Sequence, residues 1–180
     1  MTPNNSKLRI AYWLVAILGY FAFFLGILYF LIAIHFSIAP EYYNSLQLSS
    51  TMLKIEVKDG LVVSSNLSNM PLWLIWLVFL QGIAIFCTIG IMCNFGKRII
   101  QAVREAKVFS DKNPNLFRKI GLGFLILAGL SLFDIGITGD VQKFEIQFKM
   151  SYILAALFAY ILAEIFQEGN RLEEESKFTV

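Results

Sequence analysis

Charge is scarce in this 180-residue chain: Asp, Glu, Lys and Arg make up 16% of it and hydrophobic residues 57%, where a soluble domain runs nearer a quarter charged and half apolar. The shortage is concentrated. No charged residue falls between Ile10 and Pro40 or between Gly60 and Gly96, and uncharged apolar runs of about 18 residues or more read as membrane spans. This excess excludes disorder and collagen. Two cysteines are too few for a disulfide scaffold, and Cys87 and Cys93 stand six positions apart within one apolar run, so on a helix they face different ways. The single histidine, His35, has no cysteine or carboxylate at ligand spacing. Gly-rich phosphate loops, nucleophile elbows and His-Glu-x-x-His patterns are missing as well, so neither an enzyme nor a cofactor is expected. A net charge of +2 is too small for a nucleic-acid surface.

What is present reads as one all-α membrane domain over residues 1–180, with four spans set by the spacing of charges. The first covers about 10–36; its apolar run of about 27 residues exceeds a signal-peptide core of 7 to 15, so it is read as an anchor. The second, about 71–96, opens at Pro71, a good first helical residue, and stops at Lys97 and Arg98. The third is expected over 120–139, interrupted by Asp134, and the fourth over 150–166. Basic residues of short loops stay on the cytoplasmic side. With the N-terminus inside, the inner segments hold eleven Lys and Arg (two before the first span, seven between Lys97 and Lys119, then Arg171 and Lys177), and the outer loops hold four, Lys54, Lys58, Lys143 and Lys149. Both termini are therefore expected inside.

The outer loops carry strand patterns. Leu53, Ile55 and Val57 alternate with Lys54 and Glu56, Asp59-Gly60 supplies a turn, and Leu61 to Val63 completes a second β-prone stretch, which together read as a hairpin. Phe144, Ile146 and Phe148 alternate with Lys143, Glu145, Gln147 and Lys149 in the other loop. Since a lone hairpin is marginal, the two outer loops, 41–69 and 140–149, are expected to join in one small extracytoplasmic sheet. The inner loop, 97–119, sums to +5 and the tail from Glu164 to −3, so loop and tail are expected either to attract each other or to meet anionic lipid and solvent respectively.

Polar groups within a bilayer are the default functional candidates. Asp134 is the main one, as an ion or proton site, as a partner of Lys143 or Lys149, or as a cap on the outer sheet. Gln81 and Asn94 in the second span are expected to be satisfied by hydrogen bonds between helices. Ser151, Ala155, Ala159 and Ala163 recur every four residues and predict a close helix contact, within the chain or in a homodimer; Ala22 and Gly26 offer a weaker counterpart.

The ending from Ala163 through Glu164, Phe166, Gly169, Leu172 and Glu175, closing Phe178-Thr179-Val180, resembles the signature of a bacterial four-pass membrane family of unknown function. The inner-loop stretch Phe109 to Gly121, with Asn115, Leu116, Arg118 and Ile120, is similar to that family's other hallmark. Lys177 departs from the acidic residue usual before the family's final triplet. The resemblance implies a protein of the bacterial cytoplasmic membrane, often encoded beside a small Xre-type helix-turn-helix regulator. Two functions are therefore expected to compete. One is a regulatory or sensory membrane protein that contacts a cytosolic partner, such as that regulator, through Phe109, Asn115, Leu116, Arg118, Gly121, Glu164, Phe166, Gly169 and Leu172. The other is a small proton- or ion-coupled transporter or channel that uses Asp134.

Overall fold

The structure, a computed structural model, describes residues 6–39, 42, 72–105, 112–138, 141–146 and 148–178. Among the described residues, four helices and two strands succeed one another as α1 (Ser6–Ile38), α2 (Leu72–Arg104), α3 (Lys112–Leu130), β1 (Phe133–Thr138), β2 (Val141–Ile146) and α4 (Met150–Phe178). Three helices among the described residues are long and apolar enough to cross a membrane: Ser6–Ile38, Ile75–Arg104 and Met150–Lys177. Their outward faces leave Phe24, Leu80, Ile91, Leu157 and Phe158 exposed. Continuous apolar surface of this kind needs an apolar neighbour.

Lipid tails are as apolar as leucine, so helices in a bilayer associate by close packing rather than by escape from water. The chain meets that demand with small residues. The buried line of α1 is Ala16, Gly19, Ala22, Gly26, Ala33 and Phe36. A Cβ built at Gly19 would lie 3.0 Å from the Cβ of Cys93, and one at Gly26 would lie 3.5 Å from that of Phe86. The fit is reciprocal, since Gly82 and Gly90 of α2 receive the rings of Tyr29 and Phe23. Tyr29 stands edge-on to Phe79, with ring centres 5.1 Å apart, and to Phe86 at 6.0 Å. The descending order of these partners along α2 makes the two helices antiparallel. Gly123 of α3 packs on Met92 of α2, and Gly121 on Tyr160 of α4. The start of α1, the end of α2, the start of α3 and the end of α4 thus share one end of the bundle.

The structure corrects two expectations. The third helix is not a span over 120–139: it ends at Leu130, and its apolar part from Ile120 is about 16 Å long at 1.5 Å per residue, half of a hydrocarbon layer of about 30 Å. The cause is a change of period past Leu130. Phe133, Ile135 and Ile137 alternate with Asp134, Gly136 and Thr138, a repeat of two that suits a strand. The second correction concerns the sheet. β2 forms within the stretch expected to be extended, but its partner is β1, immediately upstream, in the register Phe133↔Ile146, Ile135↔Phe144 and Thr138↔Val141. Two of these positions are apolar on both strands, Phe133 with Ile146 and Ile135 with Phe144, and a short hairpin closes with far less loop entropy than a pairing across the chain. The expected strands at 53–57 and 61–63 lie outside the described residues.

The end of α3 exposes backbone carbonyls in apolar surroundings, where each needs a donor. Gln81 Nε2 of α2 donates to the carbonyl of Leu130, and Ser131 Oγ donates to that of Ala128 at 3.0 Å. Gln81 thereby makes the bond between helices that its position suggested.

Two substitutions separate packing from propensity. Gly82→Ala would bring its Cβ to 2.5 Å from Tyr29 Cε1, and Phe79 and Phe86 hold that ring from both sides. It is expected to destabilise the protein by about 1–3 kcal/mol. Gly129→Ala meets no atom within 4 Å and is expected to be neutral or stabilising by up to about 1 kcal/mol. Thermal unfolding in detergent checks both, and equal losses would refute the packing argument. Gln81→Leu, which removes the donor to Leu130, should cost about 1–2 kcal/mol in the same assay.

Candidate functional site: a motif clasp at the basic end of the bundle

At the shared end of the bundle the two motif-bearing segments fold against each other. α3 opens Lys112-Asn113-Pro114, with proline inside the first turn, where its missing N–H is harmless. Asn113 is 1% exposed and Pro114 is buried. One turn further on, Phe117 packs on Phe166 of α4 with ring centres 4.9 Å apart and planes tilted by 32°. Arg118 Nη2 reaches across to Glu164 Oε1 at 2.8 Å and Gln167 Oε1 at 2.7 Å. A guanidinium suits this task because its planar fork serves two acceptors at once. A turn deeper, a Cβ at Gly121 would lie 3.0 Å from the ring of Tyr160. These pairs run in one antiparallel register, which carries on to set Asn113 level with Asn170, also buried at 8% exposure.

The residues singled out from sequence therefore divide. Arg118, Gly121, Glu164 and Phe166 hold α3 to α4. Asn115 and Leu172 face outward, Leu172 at 54% exposure, and Leu116 and Gly169 are half-buried. Phe109 lies outside the described residues. Sequence reasoning missed Phe117, Asn113, Tyr160 and Asn170. Phe117 and Asn113 lie on the helix face of Gly121 and Arg118, in steps of three and four, a signal concealed because Pro114 and the short polar residues of 110–115 favour a turn, whereas the helix already begins at Lys112.

The small-residue strip is corrected in detail. Ala159 and Ala163 are buried, Ala163 completely, but the face runs on through Ala156, while Ala155 is half-buried and Ser151 is exposed. A strict four-residue step rotates about 40° each time round a helix of 3.6 residues per turn. Three such steps carry Ser151 well off the interface that Ala163 occupies.

Attraction between loop and tail takes a narrower form than expected. Arg118–Glu164 joins α3 to α4, whereas Arg171 pairs with Glu168 at 2.6 Å and Glu175 at 3.6 Å, and Lys177 with Glu173 at 2.7 Å, all within α4. Asp134 is also relocated. It stands on β1 opposite Glu145, and Lys143 stands opposite Gly136, so it is not a carboxylate within a membrane helix. That removes the helical setting on which a transport role rested. His35 stands edge-on to Tyr42 at 5.8 Å, and both cysteines are free thiols.

Three span-capable helices, wrapped in exposed apolar side chains and closed at one end by charged residues, are consistent with a multi-pass membrane protein. The particular family is set by the chain itself: it belongs to the family described as Protein of unknown function (DUF2975), which matches residues 63–180. The match takes in α2, α3, the hairpin, α4 and both motif segments. No curated protein and no solved structure matches the chain.

The clasp separates into a packing part and a charge part. With side chains 43% and 67% exposed, Arg118 and Glu164 are expected to show a coupling energy below about 1 kcal/mol in a double-mutant cycle of Arg118→Ala and Glu164→Ala. Phe166→Ala, which empties the stacked aromatic contact, should lower the thermal midpoint more than either. A coupling well above that value would mean that charge, not packing, holds α3 to α4.

Proposed function

We propose that this chain is a regulatory or sensory protein of the bacterial cytoplasmic membrane that recognises a cytosolic partner at the basic end of its bundle. The observation that carries the reading is the clasp. Two segments far apart in sequence, 109–121 and 163–180, are those that resemble family hallmarks, and their described parts meet at Arg118, Glu164 and Gln167. Both termini are assigned to the inside, on the count of eleven basic residues against four. Beyond the level of Asn113, α4 runs on for about two turns, carrying exposed Leu172 among Glu173, Glu174 and Glu175. An apolar residue on a projecting charged helix is the kind of anchor a partner's groove takes up.

The partner class proposed is a small helix-turn-helix regulator of the Xre type, held at or released from the membrane. Its basic DNA-reading surface would complement the acidic end of α4. The test is co-purification from mild detergent extracts with a regulator encoded next to the gene. Recovery is expected with the full chain and is expected to fall at least about tenfold with Leu172→Asp, the loss anticipated when a buried anchor is replaced by a charge. Arg171→Ala should change it little. If the regulator is recovered equally with Leu172→Asp, or with neither protein, the proposal fails. Ser176→Cys should react with a membrane-impermeant thiol reagent only in inverted vesicles, and labelling in right-side-out vesicles would overturn the orientation.

A further inference from the structure

Only some of the cations at the basic end are paired with carboxylates. Arg118, Arg171 and Lys177 pair with carboxylates of α4. Lys97, Arg98 and Lys119 meet no carboxylate among the described residues, and they stand at one level, where the apolar run of α2 ends. Leu80, Ile91 and Arg98 recur at intervals of eleven and seven, which a helix of 3.6 residues per turn brings to nearly one line, and all three are exposed. That line lies away from the faces of α2 that hold α1, at Gly82, Phe86 and Cys93, and α3, at Gln81 and Met92. It is the lipid-facing stripe of α2, and it ends in Arg98.

The other two cations flank that end. Lys97 is turned by about 100° toward α1, and its ammonium lies over the exposed ring of Tyr20, 4.9 Å from the centroid. Phe95 is turned by about 60° the other way, and the ammonium of Lys119 comes over it from α3 at 5.6 Å. Aromatic faces hold both ammonium groups at the foot of the stripe without neutralising them. Two helices thus direct three positive charges, Lys97 and Arg98 from α2 and Lys119 from α3, to the level at which the apolar stripe stops.

We propose that Lys97, Arg98 and Lys119 bind the phosphate of an anionic phospholipid whose acyl chains lie along Leu80 and Ile91. Charge complementarity and the continuous apolar stripe above the cations select a lipid over a protein partner: a single ligand with an anionic head and two apolar tails satisfies both parts. The site is separate from the clasp and does not depend on a cytosolic partner.

The test uses the full-length protein in nanodiscs of phosphatidylcholine alone or mixed with phosphatidylglycerol, with lipid retention followed by native mass spectrometry and stability by thermal unfolding. Phosphatidylglycerol is expected to be retained selectively and to raise the thermal midpoint. Arg98→Gln with Lys119→Gln is expected to weaken its retention roughly thirty-fold relative to phosphatidylcholine, and Lys112→Gln, at the far start of α3, to leave it at the wild-type level. Equal retention of the two lipids, or an equal effect of Lys112→Gln, overturns the site. Displacement of phosphatidylglycerol by the same concentration of free glycerol phosphate would assign the cations to a soluble anion and overturn the lipid. Should the double variant fail to fold, the wild-type protein at low and high salt decides: retention that falls with salt supports the charged site, and salt-independent retention refutes it.

Discussion

Close approach between helices is the condition on which this structure rests. In an apolar solvent the helices gain nothing by hiding apolar surface, so they stay together only where their atoms touch closely enough for dispersion to add up. α1 and α2 achieve this by exchanging sizes: Gly19 and Gly26 receive Cys93 and Phe86, while Gly82 and Gly90 receive Tyr29 and Phe23. The same device recurs between α2 and α3 at Gly123 and Met92, and between α3 and α4 at Gly121 and Tyr160. Glycine here serves proximity rather than backbone freedom, and the antiparallel order of all four helices is a result of where these contacts fall.

The early end of α3 is the second organising fact. It leaves a backbone carbonyl at Leu130 in need of a donor, and Gln81 supplies one from the neighbouring helix. A polar residue that looked like a lone interruption in an apolar run is thus what allows α2 to lie beside a half-length neighbour. The hairpin β1–β2 then turns the chain back, so that α4 starts beside the end of α3 and carries its charged ending alongside the start of α3. The clasp between Arg118, Glu164 and Gln167 depends on that register.

Charge is sorted rather than spread. Carboxylates of α4 are largely engaged by Arg118, Arg171 and Lys177, and the basic residues of α2 and α3 nearest the apolar surface stay unneutralised by described carboxylates. One end of the bundle therefore offers two different surfaces, a projecting helix with mixed charge and an exposed leucine, and a cationic foot beneath an apolar stripe. The first suits a protein, and the second suits a lipid.

The apolar helices α1, α2 and α4 are dictated by the residue order alone, because uncharged runs of that length have no other stable form in a bilayer. Both motif segments and the extended character of 141–146 are legible in the same way, because periodicity and composition are local properties. The stretch 131–139 misleads: it is mostly apolar and reads as helix, although Phe133, Ile135 and Ile137 alternate. A short apolar run fits either period, and a partner strand decides between them. Packing in three dimensions was needed to pair Arg118 with Glu164, to set Asp134 opposite Glu145, and to turn Ala156 rather than Ser151 into the interface. Each of these is a contact between residues distant in the chain or a rotation about a helix axis. Such contacts depend on how elements are placed against one another, and no count of residues along the chain contains that placement.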